Sequence, residues 1–329
     1  MIRILLVALL AVFAAPASAQ PGDPAGSWAL KTGGRIIAVL ELDRDPSAPG
    51  GWSGGWLRPE HFSVNQGYEA VEVRGPTVRR PILRAEQRGG VLQLRIRGAF
   101  EEDDYTFELR DSDAAIYGWI NAPIEPLELE RVVRGTRPEP GGWDASGAYP
   151  LARPTWPSNT EMTAIFEADQ ADRQAGGATD WSAVRQRDAA RLTRTQGLID
   201  AGALHTGEDF YHAAFVFQHG DQPNDYLVAH TLAVIAAARG HRTATWIAAA
   251  TLDRYFQSVG RPQVYGTQYL SRPDEPTTQE PYDRAAISDG LRRSLGVPDA
   301  AGQELQRAAF EAQRVARQSQ PVSAPPSPR

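Results

Sequence analysis

Between residues 134 and 157 the chain carries Pro138, Pro140, Gly141, Gly142, Pro150, Pro154 and Pro157, a density that neither a helix nor a sheet interior tolerates. The hydrophobic period changes across this stretch, so it must separate two modules. Before it, short apolar runs alternate every second residue; after it, they recur at helical spacing. The pattern predicts an α+β two-domain chain. An N-terminal antiparallel β barrel or sandwich is expected over 21–137, a Pro/Gly-rich linker over 138–157, and a C-terminal all-α bundle of solenoid-like helix pairs over 158–317, with a disordered tail over 318–329.

The expected strands are Arg35 to Leu42, Ala70 to Val73, Val91 to Ile96, Tyr105 to Leu109, Ile116 to Trp119 and Leu127 to Val133. The expected helices run from Ser158 to about Gly177, Trp181 to Ala201, Glu208 to His219, Asn224 to Arg239, His241 to Val259, Arg284 to Leu295 and Ala300 to Arg317. Gly202, Gly220 and Gly240 stand where helix C-caps belong.

Residues 1–20 read as a secretory signal peptide: a basic start at Arg3, an apolar run from Ile4 to Ala15, and Ala17-Ser18-Ala19 before Gln20. That run is too short for the roughly 20 apolar residues a spanning helix needs, and no later segment supplies them. The expectation is a periplasmic or secreted protein with no membrane span.

Composition removes several chemistries. Of 34 basic residues only Lys31 is lysine, and it follows neither a Gly-rich phosphate loop nor a Ser-x-x motif. There is no cysteine, which excludes thiol nucleophiles, thiolate metal sites and disulfides. A formal charge of −6 argues against a nucleic-acid partner. Gly51-Trp52-Ser53-Gly54-Gly55 fits the letters Gly-x-Ser-x-Gly, but no expected helix follows it, so the strand-turn-helix elbow of a serine hydrolase is absent; the chain has no Gly-x-Gly-x-x-Gly turn, and no cofactor is implied.

Polar residues break the apolar stripes of three expected helices. Met162, Ile165, Phe166 and Asp169 share one face, with Arg173 a turn further on. Leu227, His230, Val234 and Ala237 repeat the pattern, as do Trp246, Ala250 and Asp253. A buried polar group costs roughly 1–3 kcal/mol unless it is paired, so these residues are expected to meet one another or a ligand. Convergence of Asp169, Arg173, His230, Asp253 and Arg254 would make a polar centre between helices; the other outcome is a closed ion-pair network that fixes helix register. His212 and His219 lie on one helical face and could, with His230 or Asp221, ligate zinc, although His219 also suits a helix C-cap and no metal-binding motif is present. Glu101-Glu102-Asp103-Asp104 reads as a solvated turn, and Trp52-Ser53-Gly54-Gly55-Trp56 as a rim or core pair with the capacity to stack a sugar.

Gln263, Val264, Tyr265, Gly266, Thr267 and Gln268 follow the fifth helix as a loop rich in neutral donors and acceptors. It can recognise a ligand or fold back on its own helices. Asp169-Gln170-Ala171-Asp172-Arg173, Gln218-His219, Ala229-His230-Thr231-Leu232-Ala233, Leu252-Asp253-Arg254 and Gln263 to Gln268, in that order, span about residues 159–298. Over that stretch the chain resembles an uncharacterised bacterial helical domain family, which implies where a site sits and no substrate. The candidate catalytic residues are His230, His219 and Asp253; Asp169, Arg173, Gln218, Arg254, Gln263, Tyr265, Gly266, Thr267 and Gln268 are candidates for holding a small polar ligand. The alternative is a helical-repeat interaction module for a peptide or envelope protein, its polar centre purely structural.

Overall fold

The computed structural model describes residues 22–318 apart from 66, 89, 99–100, 121–123, 134–135, 137, 145 and 175–178. The expected signal peptide, and the expected tail from residue 319, lie outside the described residues. The chain divides into two compact units, Met1–Thr155 and Trp156–Arg329. Among the described residues no helix is long and apolar enough to cross a membrane.

The first unit is built from β1 (Gly26–Thr32), β2 (Arg35–Arg44), β3 (Trp52–Val64), β4 (Glu69–Arg88), β5 (Val91–Arg97), β6 (Glu102–Leu109), β7 (Ala114–Trp119) and β8 (Leu127–Arg131). Each strand pairs antiparallel with the next, and β1 pairs with β8, so the eight close into a barrel and not a sandwich. The short β9 (Tyr149–Pro150) adds to β4. In β5, Leu92, Leu94 and Ile96 point inward against Phe107, Tyr105 and Asp103 of β6, while Gln93 and Arg95 point out. Trp28 is fully buried, edge-on to Phe107 at 5.2 Å, with the Arg131 guanidinium 4.1 Å from its ring.

Two strands lack a readable pattern. β4 contains Pro76 and Pro81 and is expected only over Ala70–Val73, yet it runs 20 residues because register shifts against β3 bend it round the barrel. β3 carries glycine where chains pass closely: a Cβ at Gly54 would stand 2.0 Å from the Glu41 carbonyl oxygen of β2.

The second unit corrects the expected fold class. Its first part is helical: α1 (Thr160–Gln174), α2 (Trp181–Asp200), α3 (Gly207–Phe217), α4 (Pro223–Ala238) and α5 (Ala244–Ser258). Ala213, Ala214, Ala229, Ala233, Ala236, Ala244 and Ala250 give these helices a small-residue core that lets backbones approach. From Val259 the all-α, solenoid-like expectation fails. The chain forms a long irregular segment with a two-stranded sheet, β10 (Leu270–Arg272) and β11 (Glu275–Thr278), then only a six-residue α6 (Asp289–Ser294) where a helix from Arg284 is expected. The last helix, α7 (Ala300–Gln318), packs on that β-hairpin and not on a partner helix. The physical reason is Pro262, Pro273, Pro276 and Pro281, which deny the segment helical hydrogen bonds.

α3 is started by a capping box in which Thr206 and Asp209 bond each other's backbone amides. Asp209 also accepts from the amides of Asn159 at 2.6 Å and His205 at 2.9 Å, which fixes the start of α1 beside that of α3.

Candidate functional site

Asp169 is fully buried on α1 and is satisfied on every side. Its Oδ1 accepts from Arg173 Nη1 at 2.9 Å and lies 3.0 Å from His219 Nδ1, and its Oδ2 accepts from Gln170 Nε2 at 2.8 Å. Arg173 reaches on to Asp188 of α2 at 2.9 Å; Arg191 joins Asp188 at 3.0 Å to Asp172 at 2.6 Å; and Arg187 closes on Asp172 at 2.7 Å. The motif Asp-Gln-x-Asp-Arg is thus a run of helix-surface ligands for one network across α1 and α2. Three carboxylates face three arginines. Arg187 and Arg191 hold the Asp172 carboxyl far below the usual carboxylate range.

His219 sits just past α3, its side chain 16% exposed. When its Nδ1–H donates to Asp169, its Nε2, on the opposite edge of the ring, is the basic nitrogen. Gln218 beside it is buried at the end of α3 and donates its backbone N–H to the Ala214 carbonyl at 3.0 Å.

Arg254 lies on α5, half-buried. Its Nε is buried without a hydrogen-bond partner, and no ion pair joins it to any described residue. Burial pulls it below the ordinary arginine value; Tyr226 on α4 offsets this and the like charge of Arg173 adds to it, so Arg254 stands within electrostatic reach of the Asp169 network. The network is balanced without Arg254, which makes this guanidinium a surplus positive charge.

The other expected members of the centre are elsewhere. His230 is half-buried at the edge of α4, its Nδ1 2.9 Å from the Ala248 carbonyl of α5, and ties two helices together. The face of α4 that turns inward is Ala229, Leu232, Ala233 and Ala236, while Leu227 and Val234 are 40% and 48% exposed. α4 is apolar on nearly all sides, so its sequence offers two stripes and the inner one is the smaller-residue one. Trp246 of α5 is likewise exposed.

Asp253 is fully buried and bonds neither histidine. Its Oδ1 accepts from the amides of Val264 at 2.8 Å and Tyr265 at 2.9 Å, and its Oδ2 from the Thr267 amide at 2.9 Å and hydroxyl at 2.7 Å. Gln263 is fully buried and bonds the Gln268 carbonyl and amide, both at 2.9 Å. Gln268 Nε2 returns to the Ala250 carbonyl at 3.2 Å. The Tyr265 carbonyl accepts from Gln303 at 2.8 Å and from Arg292 and Tyr282 at 3.3 Å. Gly266 has φ 81°, and a Cβ there would meet Gln303 Oε1 at 2.3 Å and the Tyr282 hydroxyl at 2.6 Å. The loop is folded back on its own unit and fastens α7 to α5. Its polar atoms serve protein partners.

His212 stacks on Phe166 with ring centroids 4.1 Å apart, and burial lowers its pKa. It does not join His219 or His230, and among the described residues no group of three His, Asp or Glu side chains is placed to hold a metal ion. Glu102 to Asp104 open β6 in place of the expected turn, with Asp104 bonded to Arg95 through both oxygens at 2.9 Å.

Among protein-family models, curated proteins and solved structures, none matches this chain. The assignment of a site therefore rests on geometry. Sequence reading misses Asp188, Arg191 and Tyr226; the first two repeat Asp172 and Arg173 as opposite charges facing across α1 and α2, a signal visible only once the two helices are paired.

Proposed function

We propose that the second unit binds a small anionic ligand at Arg254, beside the His219–Asp169 pair, in an exported protein. The observation that carries this reading is the surplus Arg254: an unpaired guanidinium with a buried Nε persists only where something supplies its missing acceptor, because a buried charge without a partner is expensive. An oxyanion, carboxylate or phosphate, matches a guanidinium fork. His219 then gives the site acid–base capacity. Asp169 fixes its tautomer, so that Nε2 can take a proton from, or return one to, a bound molecule. Asp253 is left out of the chemistry because both its oxygens hold residues 264–267, and His230 because its Nδ1 partner is the neutral Ala248 carbonyl and not a carboxylate of the charge network.

The likeness of residues 159–298 to an uncharacterised bacterial helical family belongs to the same proposal; its Asp-Gln-x-Asp-Arg and Gln-His motifs are the residues that build the charge network next to Arg254. The test is a thermal-shift panel of inorganic phosphate, acetate and chloride at constant ionic strength. Phosphate or acetate is expected to raise the melting temperature of the full chain above chloride, and Arg254→Gln to remove the increment. Equal shifts for all three anions, or an increment that survives Arg254→Gln, would refute the reading.

A further inference from the structure

The barrel holds a second unassigned feature, independent of the helical unit. Trp56, Tyr117, Tyr105 and Trp119 form a column of rings: Trp56 to Tyr117 at 4.9 Å, Tyr117 to Tyr105 at 4.9 Å and nearly parallel, Tyr105 to Trp119 at 5.3 Å. Trp56, Tyr105 and Tyr117 are at most 4% exposed. A cavity of about 30 Å³ lies against this column, and a second, more open cavity of about 230 Å³ shares Trp56, Arg58, Phe62, Tyr105 and Trp119 with it.

Two polar groups enter this aromatic space without a conventional partner. The Tyr117 hydroxyl lines the smaller cavity, is buried and has no hydrogen bond. Leaving such a group unsatisfied costs roughly 1–3 kcal/mol. Arg58 is half-buried, stands over the Phe62 ring at 5.4 Å, and bonds only the backbone carbonyls of Pro59 at 3.1 Å and Glu60 at 3.4 Å. No carboxylate forms an ion pair with it among the described residues. Around the two cavities together, Arg58, Arg80 and Arg97 stand against Glu101, Asp103 and Glu125, and of the three arginines Arg58 is the one that lines both. Burial keeps the Tyr117 hydroxyl protonated far into the alkaline range, and it remains a donor.

We propose that this end of the barrel is a binding site for a small planar aromatic carboxylate, its ring against Trp56, Tyr105 and Trp119, its anion held by Arg58 and the Tyr117 hydroxyl. Stacked aromatic walls select a flat ring, and the Arg58 guanidinium, bonded to backbone carbonyls and to no carboxylate among the described residues, selects a negative group. An apolar ring alone would leave the Tyr117 hydroxyl and Arg58 as they are, and a ringless acid would leave the column unfilled.

The experiment is a calorimetric titration of the full chain with benzoate, alongside cyclohexanecarboxylate and benzyl alcohol. Saturable benzoate binding is expected, with each analogue at least about tenfold weaker, and with Tyr117→Phe and Arg58→Gln each weakening benzoate about tenfold, the worth of one good hydrogen bond. Circular dichroism of both variants shows whether the barrel is intact; if either is not, the benzoate-to-analogue ratio on the unchanged protein decides. No saturable benzoate binding, analogues that bind as well as benzoate, or benzoate affinity unchanged in both variants would overturn the proposal. An ordered water on the Tyr117 hydroxyl is then the occupant.

Discussion

His219 and Asp169, fifty residues apart, meet at 3.0 Å between the end of α3 and the body of α1, and the same carboxylate oxygen takes a guanidinium hydrogen from Arg173. Asp169 is therefore the hinge between a structural charge network and a histidine whose other nitrogen is unclaimed by it. Removing one member of a buried pair costs roughly 3–5 kcal/mol because the partner charge is left behind, but Arg173 keeps Asp188. Asp169→Asn should lose about 3 kcal/mol of stability, at the lower end of that range, and His219→Gln only about 1 kcal/mol, the worth of one hydrogen bond. Urea unfolding midpoints measure both.

Asp253 accepts four hydrogen bonds from residues 264, 265 and 267, and no ligand is needed to account for its burial. Asp253→Ala should cost roughly 4 kcal/mol, since each stranded buried donor is worth about 1–3 kcal/mol. The loss should be local first. Limited proteolysis is expected to cut the variant between α5 and β10 under conditions that leave the wild type whole.

Gly266 stands in the left-handed region against Tyr282 and Gln303. Gly266→Ala should destabilise by about 1–3 kcal/mol, the usual cost of forcing a side chain into that conformation and into contact with packed neighbours. A calorimetric melting scan checks it; a neutral variant would mean that the α7 anchor is loose.

His212 gives a pH dependence. Burial lowers its pKa from 6.5, and His241 adds to that; Glu208, Asp209 and Glu167 pull the other way without overcoming it. As pH falls through 6.5 the unfolded chain takes up a proton that the folded chain refuses, so folding stability declines until the folded value is passed. Denaturant midpoints at about pH 7.5 and about pH 5.5 should differ by less in His212→Phe than in the wild type.

Much of the local structure is legible from residue order, and the limits have physical causes. Leu92-Gln93-Leu94-Arg95-Ile96 reads as a strand because one side of β5 faces a core and the other water. Barrel closure is not legible, because it depends on β1 meeting β8 a hundred residues away and on a β4 bent by register shifts. The stripe argument locates Asp169 and Asp253 as buried, which they are, yet it cannot tell what they face. Asp169 turns to α2 and α3, Asp253 to a loop, and the single expected centre divides in two. The stripe of α4 is chosen wrongly because alanine, not leucine, fills the tight interface.

Arg254 decides the functional account, and its Nε–H is the atom to watch. Phosphate titrated into the full chain at fixed ionic strength, followed by the arginine Nε–H resonances in ¹⁵N-labelled protein, should move the Arg254 signal along a saturating curve while the signals of Arg173 and Arg191, already bonded to carboxylates, move far less. An Arg254 signal that drifts linearly and in step with every exposed arginine would contradict a bound anion there.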